Sequence, residues 1–284
     1  MNTLPQDITS IIAGFSDWVD AVYTGNTELA LFLHETFHIN VHQLLRDDHY
    51  PRFHKYNEPK QDMYRYPLEM AVIAGNKTIV GSLLQSGANP NEYNPKENKP
   101  VLFQAYFRNF DTDHELMTLL VQHHSNIINT ILHGKNLLWY AIERDDVMTV
   151  HFCLMHGIHD LSVIHGNMYE SSDTYILEAL LDHGLSANSI HIKHGSLLHE
   201  AIRIYKQHIF HTDTRFIQLL LERGADPFVL YNNESPLSLL RPNDFYSYED
   251  AILLLFEYGV NPEQDRFIPE SYRDMLLKLY KYHQ

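Results

Sequence analysis

A chain of 284 residues that is 44% hydrophobic and 20% charged carries enough apolar material for a full core, which excludes a disordered tail. Its 21 Lys and Arg against 36 Asp and Glu give a formal charge of -15, a field that repels phosphodiester backbones and anionic lipid headgroups, so nucleic-acid and membrane-surface roles are disfavoured. The single cysteine, Cys153, excludes an internal disulfide and fits a reducing compartment, while the 20 histidines are the unusual count.

The first segment, residues 1–17, has neither the basic start nor the long apolar core of a cleaved secretory signal, and apolar runs elsewhere are far too short to span a bilayer. The expectation is a soluble protein without a Sec-type signal; export by machinery that reads other signals stays compatible with it. Leu4, Ile8, Ile11 and Ile12 make an apolar stripe suited to an N-terminal capping helix.

From Trp18 the string WVDAVYTGNTELALFLHETFHIN contains a Gly25-Asn26 pair that recurs as Gly75-Asn76. Within it, His34-Glu35-Thr36-Phe37-His38 spells HExxH, where two histidines four apart on a helix could bind zinc and the glutamate could activate water. No third-ligand signature follows and the string overlaps the end of a repeating unit, so the zinc hydrolase is the third-ranked reading and no metal or cofactor is expected.

Residues 41–65 are a long insertion rich in Tyr, His and Pro, with Tyr50, Phe53, Tyr56, Tyr64 and Tyr66 close together. Aromatic side chains on an exposed loop offer contact area at small entropic cost, so the insertion is read either as a binding loop or as a cover over the first repeats.

Beyond it a pattern repeats. Six segments close alike, with an apolar triplet, two variable residues and then Gly or a substitute: SLLQSGANPN from Ser82, LLVQHHSNIIN from Leu119, FCLMHGIHD from Phe152, ALLDHGLSAN from Ala179, LLLERGADPF from Leu219 and LLFEYGVNPE from Leu254. Their markers, Gly87, His124, Gly157, Gly184, Gly224 and Gly259, are separated by about 27 to 40 residues. Upstream lie the pairs Leu68 and Ala71, Leu102 and Ala105, Leu138 and Ala141, and Leu198 and Ala201, with SPLSLL at Ser235 as a weaker copy. Spacing of i, i+3 puts each pair on one helical face, and the small residue lets a neighbouring helix approach. Each unit therefore reads as helix, short turn, helix, and a loop opened by a left-handed Gly cap. The first helix of the unit around residues 161–190 is poor, and a kink is expected there. Cys153 occupies the middle of its apolar triplet and reads as a small core residue, not a nucleophile.

The last segment, 264–284, places Ile268, Met275, Leu276 and Leu279 near one stripe behind Pro269-Glu270, as a C-terminal capping helix would.

These residues resemble the ankyrin repeat family, through PLEMAVIAGNKTIVGSLLQSGANPN from Pro67 and LLHEAI with LLLERGADP, over roughly residues 18–263. The resemblance implies an all-α ankyrin-repeat solenoid of about six to seven helix-turn-helix units between terminal caps. It also implies a protein-binding scaffold without catalysis, monomeric on its own, acting through its concave face and loop tips. Carried onto this sequence, the variable positions are Tyr64, Arg65, Ile73, Asn98, Lys135, Glu143, Arg144, Lys193, His194, Tyr205, Tyr231 and Asn232, with Tyr50, Phe53 and Tyr56 added by the insertion. In ankyrin repeats a His at the place of His199 often hydrogen-bonds within the loop–helix junction. The partner is expected to be a protein that is basic or neutral rather than acidic, with no nucleic acid and no membrane insertion.

Two further resemblances bear on function. Leu4-Pro5 with Ile8, Ile11 and Ile12 looks like the opening of an F-box, which implies a ubiquitin-ligase adaptor as the alternative function; an F-box needs about forty residues, and the repeat-like WVDAVYTGN begins well before that. The irregular units and stretched insertion look like ankyrin proteins that intracellular bacteria or large DNA viruses deploy in host cells, which implies effector action in the host cytoplasm. Scattered histidines of ordinary pKa would make the negative surface charge fall steeply between about pH 7 and 5.5.

Overall fold

Turn chemistry decides where the helices of this chain begin. In the computed structural model, which describes residues 16–46, 64–93, 99–108, 114–165, 174–207, 213–241 and 248–283, the same short turn recurs between paired helices. The Asn26 side chain accepts a hydrogen bond from the Leu29 N–H at 3.2 Å, Asn76 from Ile79 at 3.2 Å and Asp146 from Thr149 at 3.0 Å. Each satisfies a backbone donor that the first turn of a helix leaves unpaired.

Contacts divide the chain into two compact units, Met1–Leu137 and Leu138–Gln284. In the first, a helix over residues 16–24 (α1) is followed by α2 (Thr27–Phe37), then by the pairs α3 (Pro67–Ala74) with α4 (Lys77–Gln85) and α5 (Val101–Arg108) with α6 (Glu115–His123), and by a 3-10 helix at Ser125–Asn129. Strands β1 (Leu45–Arg46) and β2 (Tyr64–Arg65) pair antiparallel, Leu45 opposite Arg65 and Arg46 opposite Tyr64. Helix α7 (Leu137–Glu143) begins at the junction of the two units.

The second unit continues with α8 (Val147–Met155), a 3-10 turn at Ser162–Ile164, and α9 (Thr174–Asp182). A hairpin of β3 (Ile190–His191) and β4 (Gly195–Ser196) leads into α10 (Leu197–Gln207), which pairs with α11 (Arg215–Glu222). The last elements are the short α12 (Pro236–Leu239), α13 (Glu249–Glu257) and α14 (Glu270–His283).

The repeated apolar positions are the core. Leu68, Ala71, Leu102, Ala105, Leu138, Ala141, Leu198 and Ala201 of the first helices are all buried, as are Leu83, Leu120, Cys153, Leu180, Leu220 and Leu255 of the second. Each fully buried Leu contributes about 2 kcal/mol of transfer free energy, so the repeat pattern itself carries the stability. The second helices close as expected: Gly87, Gly157, Gly184, Gly224 and Gly259 have φ between 77° and 101°. The residue after each donates back to the triplet, Ala88 to Leu83, Ile158 to Cys153, Leu185 to Leu180, Ala225 to Leu220 and Val260 to Leu255, at 2.9–3.2 Å. His124 departs from this pattern. Its φ is -144°, outside the left-handed region that the Gly markers adopt, and the chain instead tightens into the 3-10 helix that follows.

Where the unit near residues 161–190 was expected to have a poor first helix, the described part holds only the 3-10 turn at Ser162–Ile164. The C-terminal helix packs on α13, with Tyr280 edge-on to Phe256 at 5.0 Å; it buries Tyr272 and Leu276, with Ile268 buried ahead of it, and the Tyr272 hydroxyl donates to the Leu240 carbonyl at 2.7 Å. Met275, placed on that stripe from the sequence, is 43% exposed: the buried line follows the i, i+4 pair Tyr272–Leu276, and Met275 lies about a hundred degrees off it.

Candidate functional site

Every first helix with a described approach is entered from a short hairpin or a single bridge, and these loops are where side chains leave the core. Leu132 and Lys135 exchange backbone hydrogen bonds at 2.9 and 3.0 Å, and so do Tyr231 and Glu234 at 3.0 and 2.9 Å. The residues between them, His133 with Gly134 and Asn232 with Asn233, all have positive φ, the pattern of a type I′ turn. The β1–β2 rung occupies the same place before α3 and joins the two ends of the insertion 41–65.

The hairpins of the second unit interlock. The Tyr231 hydroxyl donates to the Ile192 carbonyl at 2.7 Å, and its ring lies where a Cβ on Gly195 would stand, 2.8 Å from the nearest ring atom. Gly195, at φ 82°, is thus required both by its backbone conformation and by the close approach of Tyr231. Asn188 does the same for the loops after α9 and α11, donating to the Gly224 carbonyl at 2.8 Å and accepting from the Asp226 N–H at 2.7 Å.

On this frame four large apolar side chains point outward: Ile190 is 60% exposed, Ile192 86%, Phe228 54% and Leu230 47%. A groove of about 230 Å³ continues the line, walled by Phe228, Leu230, Val260, Arg266 and Phe267. Behind the hairpin, His165, His191 and His194 stack with ring centroids 5.6 and 4.9 Å apart. His165 Nδ1 lies 2.7 Å from the wholly buried Glu200 carboxylate and its Nε2 2.7 Å from Ser189 Oγ. Desolvation, then the neighbouring His194 and His165, hold the His191 pKa below its ordinary value.

Three cations gather along the same first helices. An Arg203 Nη donates to the His194 carbonyl, Lys206 Nζ to the Leu239 carbonyl at 2.5 Å, and Arg241 Nε to the Ser238 carbonyl at 3.0 Å. Lys206 lies 5.6 Å over the Tyr248 ring and Arg203 5.9 Å over that of Tyr231. Burial first, then Arg241, lowers the Lys206 pKa, with Glu234 opposing and Arg203 adding to the effect.

Of the residues expected to meet a partner, Tyr64, Glu143, Arg144, Lys193 and Asn232 are exposed, and Ile73, Lys135, His194 and Tyr231 are half-buried. Arg65 and Tyr205 are buried, Arg65 inside the β1–β2 rung and Tyr205 against Tyr248 at 5.9 Å, so they support the loops from within. Tyr50, Phe53, Tyr56 and Asn98 lie outside the described residues. Ile190, Ile192, Phe228 and Leu230 were not among the expected residues; the alternation Ile190-His191-Ile192 ahead of a Gly is the local signal of an apolar hairpin edge.

The HExxH string does not form a two-histidine helical face. His34 and Glu35 are in α2, but His38 follows its end at φ 46° and ψ 55°, and His34 Nε2 meets Ser86 Oγ at 3.2 Å. Among the described residues no group of three His, Cys, Asp or Glu side chains is placed to hold a metal. Cys153 is fully buried and burial raises its thiol pKa far above the usual range. The described residues include no helix long and apolar enough to cross a membrane.

The paired helices, left-handed caps and hairpin loops define a helical-repeat protein. No protein-family model and no curated protein matches the chain. Among solved structures it is similar to the ankyrin repeat domain of Bcl-3, described as a unique member of the IkappaB protein family, at 19% identity and a TM-score of 0.56 over 78% of this chain and 100% of that one. The human ASB11 ankyrin repeat domain also aligns, at 14% identity and a TM-score of 0.34, over 94% of this chain and 97% of that one. The fold is the all-α ankyrin-repeat fold.

Proposed function

We propose that the chain is a protein-binding scaffold, whose partner docks on the hairpin tips and the adjoining faces of the first helices. The observation that carries this reading is the run of outward apolar side chains Ile190, Ile192, Phe228 and Leu230 on successive loops. Single exposed apolar residues are ordinary, whereas a contiguous set on rigid neighbouring loops is the composition of a contact surface. Those loops are joined by the Tyr231–Ile192 and Asn188–Asp226 bonds, so little ordering entropy is left to be lost on binding.

No chemistry is part of the reading, in keeping with the departure of His38 from the α2 helix and the burial of Cys153. The compartment proposed is the cytoplasm, that of a host cell if the chain acts as an effector. An adaptor role would rest on Leu4 and Pro5, which lie outside the described residues; co-purification with the ligase linker protein, against Leu4→Ala and Pro5→Ala, tests it separately.

The scaffold reading is tested by affinity purification and cross-linking with the wild-type chain and with the Ile192→Asp, Phe228→Asp double variant. Partner proteins retained by the wild type and lost by the variant at unchanged melting temperature are the expected result. Identical retention by both removes the hairpin tips from the binding surface.

A further inference from the structure

In a chain of formal charge -15, three cations on one face are conspicuous. Arg203 and Lys206 leave α10, and Arg241 follows α12, one repeat further on. Among the described residues their hydrogen-bond and ring partners are all neutral: the His194, Leu239 and Ser238 carbonyls and the faces of Tyr231 and Tyr248. Two of those carbonyls are consecutive, so Lys206 and Arg241 stand side by side at the end of α12. Among the described residues the carboxylates facing the cluster are Glu234, one element away on the hairpin, and Asp250 on α13 beside Tyr205; neither forms an ion pair with the three cations. Elsewhere in the same unit cations are neutralised directly, as Arg223 is by Glu178 at 3.0 Å and Asp182 at 2.5 Å.

Like charges held close on fixed carbonyl anchors repel one another, and an anion from outside would relieve that repulsion. The anchors also fix the direction of the groups, which makes the cluster preorganised for carboxylates rather than a set of freely solvated side chains. A long polyanion would meet the negative field of the remaining surface at both ends of this short patch, so a nucleic acid is the poorer occupant. The tips at Ile192 and Phe228 add apolar contact next to the cations.

We infer that the first-helix face of the second unit receives a short acidic segment of a partner protein, with Arg203, Lys206 and Arg241 as its carboxylate contacts. This inference rests on the scaffold reading and reverses the partner charge expected from the net charge alone. The local field, not the total, sets the chemistry of a docking face.

The test is fluorescence anisotropy of the full chain with a labelled short peptide of Asp and Glu around one Phe. Saturable binding that weakens about tenfold or more between low and high salt is expected, with a comparable loss in the Arg203→Glu, Arg241→Glu variant. A Lys-rich peptide of the same length is then expected to bind that variant and not the wild type. Because Arg203 also ties the hairpin, Arg241→Glu alone serves as the second variant, with circular dichroism melts confirming that each is folded. Equal affinity for acidic and neutral peptides, or tighter binding of a single-stranded oligonucleotide of the same charge, overturns the inference. Partners lost by the Ile192→Asp, Phe228→Asp variant but retained by the charge-reversed one overturn the acidic segment while leaving the scaffold in place; no retained partner at either surface overturns the scaffold itself.

Discussion

His199 and Glu234, 35 residues apart, are joined by a hydrogen bond of 3.2 Å from the imidazole Nε2 to the backbone carbonyl. The Ser196 hydroxyl meets the other ring nitrogen at 2.7 Å, so a neutral ring with its proton on Nε2 satisfies both contacts, and the side chain is wholly buried. The residue thus ties the start of one repeat to the hairpin of the next. Replacing His199 with Ala removes both side-chain bonds and a buried ring, and leaves the Glu234 carbonyl with only the Tyr231 N–H, at a cost of about 2–3 kcal/mol. Urea unfolding of His199→Ala is the measurement; a loss below about 0.5 kcal/mol would show the junction to be held by packing alone.

Acid should weaken the fold through imidazoles that lose solvation on folding. The pKa values of His34, His191 and His199 are all lowered, with desolvation the largest cause in each. Below about pH 6.5 the unfolded chain then binds more protons than the folded one, so stability is complete above that pH and is lost progressively as the pH falls. The melting temperature is expected to drop between about pH 7.5 and 5.5, and His199→Gln to show a shallower drop. A melting temperature that rises on acidification would refute the assignment.

Asp145 stands at φ 56° in the turn where the other repeats have Gly25 and Gly75. A side chain in the left-handed region costs about 1 kcal/mol, and Asp, though better tolerated than most, still bears part of it. Asp145→Gly is therefore expected to raise stability by about 0.5–1 kcal/mol, read from a denaturant midpoint at unchanged m-value. No gain would mean that the Asp145 carboxylate contributes to the turn as much as the strain removes.

Cys153 should react with a thiol reagent only through unfolding. It is fully buried and its thiol is held protonated by desolvation, with Asp146 adding to the effect. The labelling rate of the native chain is expected to follow the opening equilibrium, and to rise steeply with added urea. Rapid labelling without denaturant would mark a local opening of α8.

The helical pairs were legible because their determinants are local: an Asn or Asp cap, an i, i+3 Leu–Ala pair and a Gly three residues beyond an apolar triplet each act within one turn of chain. The hydrogen-bonding place of His199 came from the family resemblance rather than from such a local rule. What the pattern did not disclose is long-range. Arg65 looks like a loop cation until the rung with Leu45 is known, and Lys206 looks like an ordinary helix lysine until its anchor at Leu239, in the next repeat, is seen. Net charge hides the same kind of information, since adding up charges over the chain erases the spatial segregation that sets Arg203, Lys206 and Arg241 together on one face, with no ion pair among the described residues. Met275 shows the limit of stripes near a terminus, where a one-position rotation changes which side chain is covered.

The antiparallel rung between Leu45 and Arg65 brings the two ends of residues 47–63 to neighbouring positions on the chain's framework. A segment entered and left through one doorway can be lengthened, shortened or exchanged while α2 and α3 keep their places, because closure entropy grows only with the logarithm of loop length. The interval between Arg46 and Tyr64 is in that sense a cassette: a site where sequence drift, or a designer, could graft a new recognition loop and leave the helical framework unchanged.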